Sequence, residues 1–213
     1  MTDVTDRMAS AAKLAGRTAD SVTLIAVSKT QPVEAIEALI AAGVRDFGEN
    51  RAQEMQAKWP DLLKRHPGVR LHFIGRLQSN KAAEAVSLCD AIHSLDRRSL
   101  VDALAKAIAG FASPPDLYVQ VDIGHEPQKG GVAIGDLDAL LDYARAKGLV
   151  VSGLMAVPPL DVEAAPYFAL LAKLAEDRGL ARLSMGMSGD YETATMLGAT
   201  HVRVGSALFG ARD

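Results

Sequence analysis

Lys29 closes the run VTLIAVSK, in which seven uncharged residues precede the amine. A lysine that is partly desolvated, or set near other cations, loses its proton more readily and forms a Schiff base with an aldehyde or ketone. Position alone also fits a lysine that ends a strand and snorkels to water, so Lys29 needs support from elsewhere in the chain. The C-terminal third supplies it. Met185–Gly186–Met187–Ser188–Gly189–Asp190 leads directly into a helical pattern, and backbone N–H groups at a helix start beside a serine hydroxyl make an anion site. Ser188 on its own also fits a plain helix N-cap. Arg203–Val204–Gly205–Ser206 is followed by a short helical stretch through Phe209, and Gly205 alone would fit a tight turn.

These residues are useful only if the fold brings them together. Eight short apolar runs alternate with helical patterns: 22–29, 45–50, 70–75, 91–96, 116–122, 150–157, 182–187 and 201–210. Helix-like stretches lie between them at 33–42, 51–63, 99–109, 136–147, 162–178 and 191–197, with an extra N-terminal helix over 5–15. Pro32 suits a first helical turn, while Gly43, Gly148 and Gly179 suit helix ends that need a left-handed residue. Strands that alternate with helices must run parallel, because each helix carries the chain back. Eight strands, most apolar on both faces, predict a (β/α)8 TIM barrel with an additional N-terminal helix. An open doubly wound sheet is the alternative. No stretch reads as a linker, so residues 1–213 form a single domain.

In such a barrel the chemistry sits on the loops after the strands, and the loops after strands seven and eight recurrently bind phosphate. Lys29 shares parity with Ile25 and Val27, which turns it to the barrel mouth if that parity faces inward. A Schiff-base lysine on strand one with a phosphate cradle on strands seven and eight describes a pyridoxal phosphate site or a sugar-phosphate aldolase. Arg203 could donate to a pyridine nitrogen, and its charge would then weaken the ring as an electron sink. It fits an ion pair or a phosphate contact equally well. His72 and His201 lie inside strand runs and read as buried or interfacial histidines. The long loop His125–Gly131 has the length of a lid. HEPQK is not HExxH, the glycines match neither GxGxxG nor a P-loop, and no metal constellation emerges. Cys89 reads as core and Trp59 as part of an amphipathic helix.

Composition narrows the function classes further. The chain has 213 residues, a formal net charge of −3 and one cysteine, which gives no electrostatic footprint for nucleic acid and no internal disulfide. The N-terminus lacks an apolar signal core, and no apolar run approaches the ~18 residues of a membrane span. A cytoplasmic protein without membrane contact is expected.

Several strings together resemble the pyridoxal-phosphate homeostasis proteins, single-domain relatives of the alanine racemase N-terminal barrel. They are LIAVSKT (24–30), DFGEN (46–50), LHFIGRLQSNK (71–81), GLMAVPP (153–159), LSMGMSGD (183–190) and VRVGSALFGARD (202–213). The resemblance implies that Lys29 holds pyridoxal phosphate as an internal aldimine. Ser188 and the backbone of Gly205 and Ser206 would bind its phosphate, and Arg203 would face the pyridine nitrogen. Asn50 and Met155 would lie near the cofactor, with Ser184 and Met185 shaping the pocket. Arg76 stands where the family often has proline, and Asp122 where it often has asparagine; neither touches the lysine.

The resemblance further implies a protein that binds, buffers or hands over pyridoxal phosphate without a settled catalytic activity. Two-base racemisation needs an acid/base group on each face of the substrate, and in the racemases the second is a tyrosine from another domain. The sequence reaches Asp213 just after the barrel, and Tyr118, Tyr143, Tyr167 and Tyr191 fall in strands, helices or helix starts. No catalytic residue is therefore assigned. A weak amino-acid racemase and a Schiff-base sugar-phosphate aldolase are the alternatives. Transient contact with pyridoxal-phosphate-dependent enzymes, and a monomer or loose dimer, complete the expectations.

Overall fold

The structure, a computed structural model, describes residues 2–210; the last three residues of the C-terminal string lie outside them. Helix α1 (Thr2–Leu14) precedes β1 (Thr23–Val27), and the chain then alternates α2 (Val33–Ala41), β2 (Asp46–Glu49), α3 (Ala52–Arg65), β3 (Arg70–Phe73), α4 (Ala82–Leu88), β4 (Ala91–Leu95), α5 (Arg98–Ile108) and β5 (Asp116–Asp122). A two-residue strand β6 (Val132–Ala133) leads to α6 (Leu137–Ala146), β7 (Val151–Met155), α7 (Ala165–Glu176), β8 (Arg182–Ser184), α8 (Tyr191–Met196), β9 (His201–Val204) and α9 (Ser206–Phe209). Strands β1, β2, β3, β4, β5, β7, β8 and β9 pair in that order, all parallel, and β9 pairs back to β1. This is the closed eight-stranded (β/α)8 barrel expected from the alternation, with the N-terminal helix outside it packed against α8.

Each of the eight apolar runs holds one barrel strand. Two short elements carry too little pattern to be read from sequence: α4, a single alanine-rich stretch, and β6, which only extends the edge of β5. Helix α7 starts at Ala165 rather than at residue 162, because Asp161 takes the left-handed conformation (φ 60°) and the chain turns there first.

The barrel wall has two different faces. Outside, between strands and helices, lies one contiguous apolar layer that includes Phe47, Trp59, Leu62, Leu71, Leu104, Leu154, Phe168 and Leu171, all fully buried. Inside, the strands present Ile25 and Gly48 along with buried His72, His93, Tyr118, Ser184 and Arg203. Gly48 is tightly enclosed: a Cβ there would stand 3.0 Å from both Ile25 Cγ2 and Ile74 Cδ1, so those side chains would have to shift. At Gly75 a Cβ would lie 2.1 Å from the Asn50 carbonyl oxygen. Glycine is therefore what lets the segment after β3 close against the end of β2 and fix Asn50 at the barrel mouth.

Candidate cofactor-binding site

A cavity of about 290 Å³ opens at the C-terminal ends of the strands. Its walls carry Lys29, Asn50, Ser188, Arg203, Gly205 and Ser206, with Val27, Ile74, Gly75, Val157 and Met187 as apolar lining. Six of the nine residues singled out in the sequence thus meet at one place. The other three stand behind the wall. Met155 is buried beside Ala91, Tyr118 and Val157, Met185 belongs to the outer apolar layer, and Ser184 sits below Arg203 and bonds to it.

Lys29 is half-buried, and its Nζ makes no hydrogen bond or ion pair among the described residues. The backbone around it is tightly held. Ser28 N–H donates to Gly48 O at 3.0 Å, and its hydroxyl donates to Glu49 Oε1 at 2.8 Å. Lys58 Nζ reaches Ser28 O at 3.0 Å while pairing with Glu49 and Glu54, each at 2.8 Å. Trp59 Nε1 adds a 3.0 Å bond to Glu49. Thr30 takes a left-handed conformation (φ 63°) that its branched side chain disfavours, and its N–H is tied to Glu54. Burial alone would raise the Glu54 carboxyl, but the bonds from Lys58 and the Thr30 N–H hold it below the usual range. The result is a rigid loop that presents an unpartnered amine to the cavity. This support was hidden in the sequence. Its one signal was Glu54 four residues before Lys58 on a helix, a spacing that usually marks a surface pair.

Arg203 is 4% exposed. Its Nη1 donates to Ser184 Oγ at 2.7 Å and its Nη2 to Ala156 O at 2.9 Å. No carboxylate among the described residues forms an ion pair with it. Burial pulls its pKa from 12.5 to about 10, partly opposed by the charge of Asp190. A buried cation with only neutral acceptors favours an anion or a lone pair beside it. On the same wall Gly205 N–H donates to Ser188 Oγ at 3.2 Å, which joins the loops after β8 and β9. The first of these loops is itself braced by Met187 N–H donating to Asp190 Oδ1 at 2.6 Å.

A larger cavity of about 760 Å³ adjoins the first through Asn50 and carries Arg51, Arg76, Lys81 and Arg97. Arg97 pairs with Asp96 and Lys81 with Glu84. The His125–Gly131 loop is anchored rather than loose: Gln120 Nε2 donates to Lys129 O at 3.0 Å, Lys129 Nζ to Pro158 O at 3.1 Å, and Glu126 N–H to Asp122 Oδ1 at 2.7 Å. No group of three or more potential metal ligands occurs among the described residues.

Comparison with known proteins gives a consistent picture. The family model described as "Alanine racemase, N-terminal domain" matches residues 5–213. A protein of Pseudomonas aeruginosa named "Pyridoxal phosphate homeostasis protein" is 41% identical over 216 residues, covering 99% of this chain and 93% of its own. A protein of the same name from Deinococcus radiodurans is 44% identical over 200 residues, with 92% of each chain covered. Among solved structures, PipY of Synechococcus elongatus PCC7942 with PLP bound superposes with a TM-score of 0.83 at 38% identity, covering 97% of this chain and all of that one.

Proposed function

The chain belongs to the family of pyridoxal phosphate homeostasis proteins, within the alanine racemase N-terminal-domain fold, and we propose that it holds pyridoxal phosphate on Lys29 and releases it to other proteins. One observation carries this reading: a lysine amine and a buried guanidinium, neither with a carboxylate partner among the described residues, line one cavity with the Ser188–Gly205 loop pair. That donor set matches a ligand with an aldehyde, a ring nitrogen and a phosphate. Pyridoxal phosphate, when bound, supplies an aldehyde that a lysine amine takes up covalently and a ring that accepts electron density.

The protein's own residues divide the work of holding it. Lys29 Nζ is the nucleophile, kept in place by the Ser28, Glu49 and Lys58 network behind it. Ser188 Oγ, held by the Gly205 N–H, serves the phosphate together with the Ser206 N–H, and Arg203 serves the ring nitrogen. Asn50 stands on the wall shared with the neighbouring cationic cavity.

Binding and release suit this cavity better than turnover. Lys29 is the one amine, carboxyl, imidazole or phenol among the described residues that line it, whereas two-base chemistry needs a second such group opposite. Titration with pyridoxal phosphate tests the proposal. A visible absorbance band that depends on Lys29, and passage of the cofactor to an added apo-enzyme that requires it, are the expected results. An identical band in Lys29→Ala would overturn the assignment.

A further inference from the structure

Below the cofactor cavity, a single file of buried polar groups crosses the barrel interior. Arg203 Nη1 donates to Ser184 Oγ at 2.7 Å, and Ser184 Oγ lies 2.8 Å from His93 Nδ1. His93 Nε2 is 3.0 Å from His72 Nδ1, and His72 Nε2 is 2.9 Å from Asp46 Oδ1. These residues come from β9, β8, β4, β3 and β2, and none is more than 7% exposed. Arg203 lines the cofactor cavity, while Asp46 and His72 line a separate cavity of about 340 Å³. The file therefore joins two openings of the barrel.

The chemistry of each member fixes the direction of the bonds. The Asp46 carboxylate, also bonded by Arg70 at 2.8 Å, only accepts, so His72 turns Nε2–H toward it. A neutral His72 then offers a lone pair at Nδ1, which His93 Nε2–H fills. Burial holds His93 in its neutral form, so its Nδ1 also accepts and Ser184 donates to it. The serine oxygen is left with its lone pairs facing the guanidinium. Every bond thus points from Arg203 toward Asp46. Other groups surround the file without breaking it. Tyr118 stacks on His93 at 4.3 Å, and the His201 ring lies 6.0 Å from both His72 and His93. Arg182, paired with Asp116, lines the Asp46 cavity together with Asp90 and Arg70.

We propose that His93, backed by His72 and Asp46, is a positioning residue for Arg203: by accepting the hydrogen bond of the Ser184 hydroxyl it keeps the serine oxygen as a fixed acceptor that holds the guanidinium in the cofactor-cavity wall. The inference rests on the reading of that cavity as a pyridoxal phosphate site.

The imidazole of His93 touches Ser184 through one nitrogen and His72 through the other, so two amides separate its duties. Asn can accept from Ser184 but cannot reach His72; Gln can reach His72 but not Ser184. The test measures pyridoxal phosphate affinity and the bound-cofactor spectrum, with folding followed by circular dichroism. Ser184→Ala and His93→Gln should weaken binding by ~10-fold or more and move the absorbance maximum, as expected for a lost bond to a charged group. His93→Asn should keep both affinity and absorbance maximum near wild type. Ser184→Ala removes only an oxygen and decides the matter where a histidine variant fails to fold. Wild-type affinity and spectrum in Ser184→Ala would overturn the inference, as would His93→Asn binding as weakly as His93→Gln. Absence of any Lys29-dependent band in the wild type would instead overturn the site reading and this inference with it.

Discussion

The two faces of the barrel wall are built from opposite chemistry. Outside, Phe47, Trp59, Leu104 and Phe168 belong to a mainly apolar layer, whose stability comes chiefly from apolar area removed from water. Inside, Arg203, Ser184, His93 and His72 fill the same small cross-section with hydrogen bonds. An apolar interior would stabilise a barrel at least as well, since buried polar groups at best recover what their desolvation costs. The inner face, with the proposed cofactor cavity at its upper end, therefore serves more than stability, whereas the outer face serves the fold. Changes on the two faces should have separable effects.

The sharpest separation is expected at Lys29. Lys29→Ala should abolish covalent retention of pyridoxal phosphate, measured as loss of the visible band, while the thermal midpoint of the cofactor-free protein stays at its wild-type value. On the outer face, Trp59→Ala should do the reverse and cost about 3–5 kcal/mol in denaturant unfolding, because it opens a cavity and removes the Trp59–Glu49 bond. A wild-type unfolding curve for this variant would break the comparison.

Acid should probe the inner face selectively. Burial lowers the His201 pKa from 6.5 to about 4, and His93 is held lower than usual for the same reason. As pH falls from about 6.5 to about 4, the unfolded chain takes up protons that the folded barrel refuses. Stability is thus fully present above that window and lost through it, by at most about 1.4 kcal/mol per pH unit for each histidine. His201→Asn should flatten part of that slope in urea titrations across the window. The smallest effect is expected for Ile36→Val, a single methylene on the outer face, at about 1 kcal/mol with cofactor binding unchanged.

The same contrast explains what could be read from the residues. The outer face follows hydrophobic period, so all eight strands and most helices were legible, whereas α4 and β6 were too short to carry a period. At the site, residues that end strands were found because the barrel geometry says where strand ends go; Lys29, Ser188 and Gly205 are of this kind. His93 and Asp46 were not singled out. A polar residue inside a strand gives no local sign of whether it bonds a neighbouring strand or faces water, and their partners lie 21 to 91 residues away for His93. Glu49 lies within the apolar run 45–50, and its part in holding the Lys29 loop depends on Lys58 and Trp59 from the following helix.

The most direct measurement is chemical. The protein is incubated with pyridoxal phosphate, reduced with borohydride and digested, and the pyridoxyl group is located by peptide mass spectrometry. A single adduct on Lys29 is the predicted result. An adduct scattered over surface lysines, or none on the peptide carrying Lys29, would contradict the assignment of this cavity.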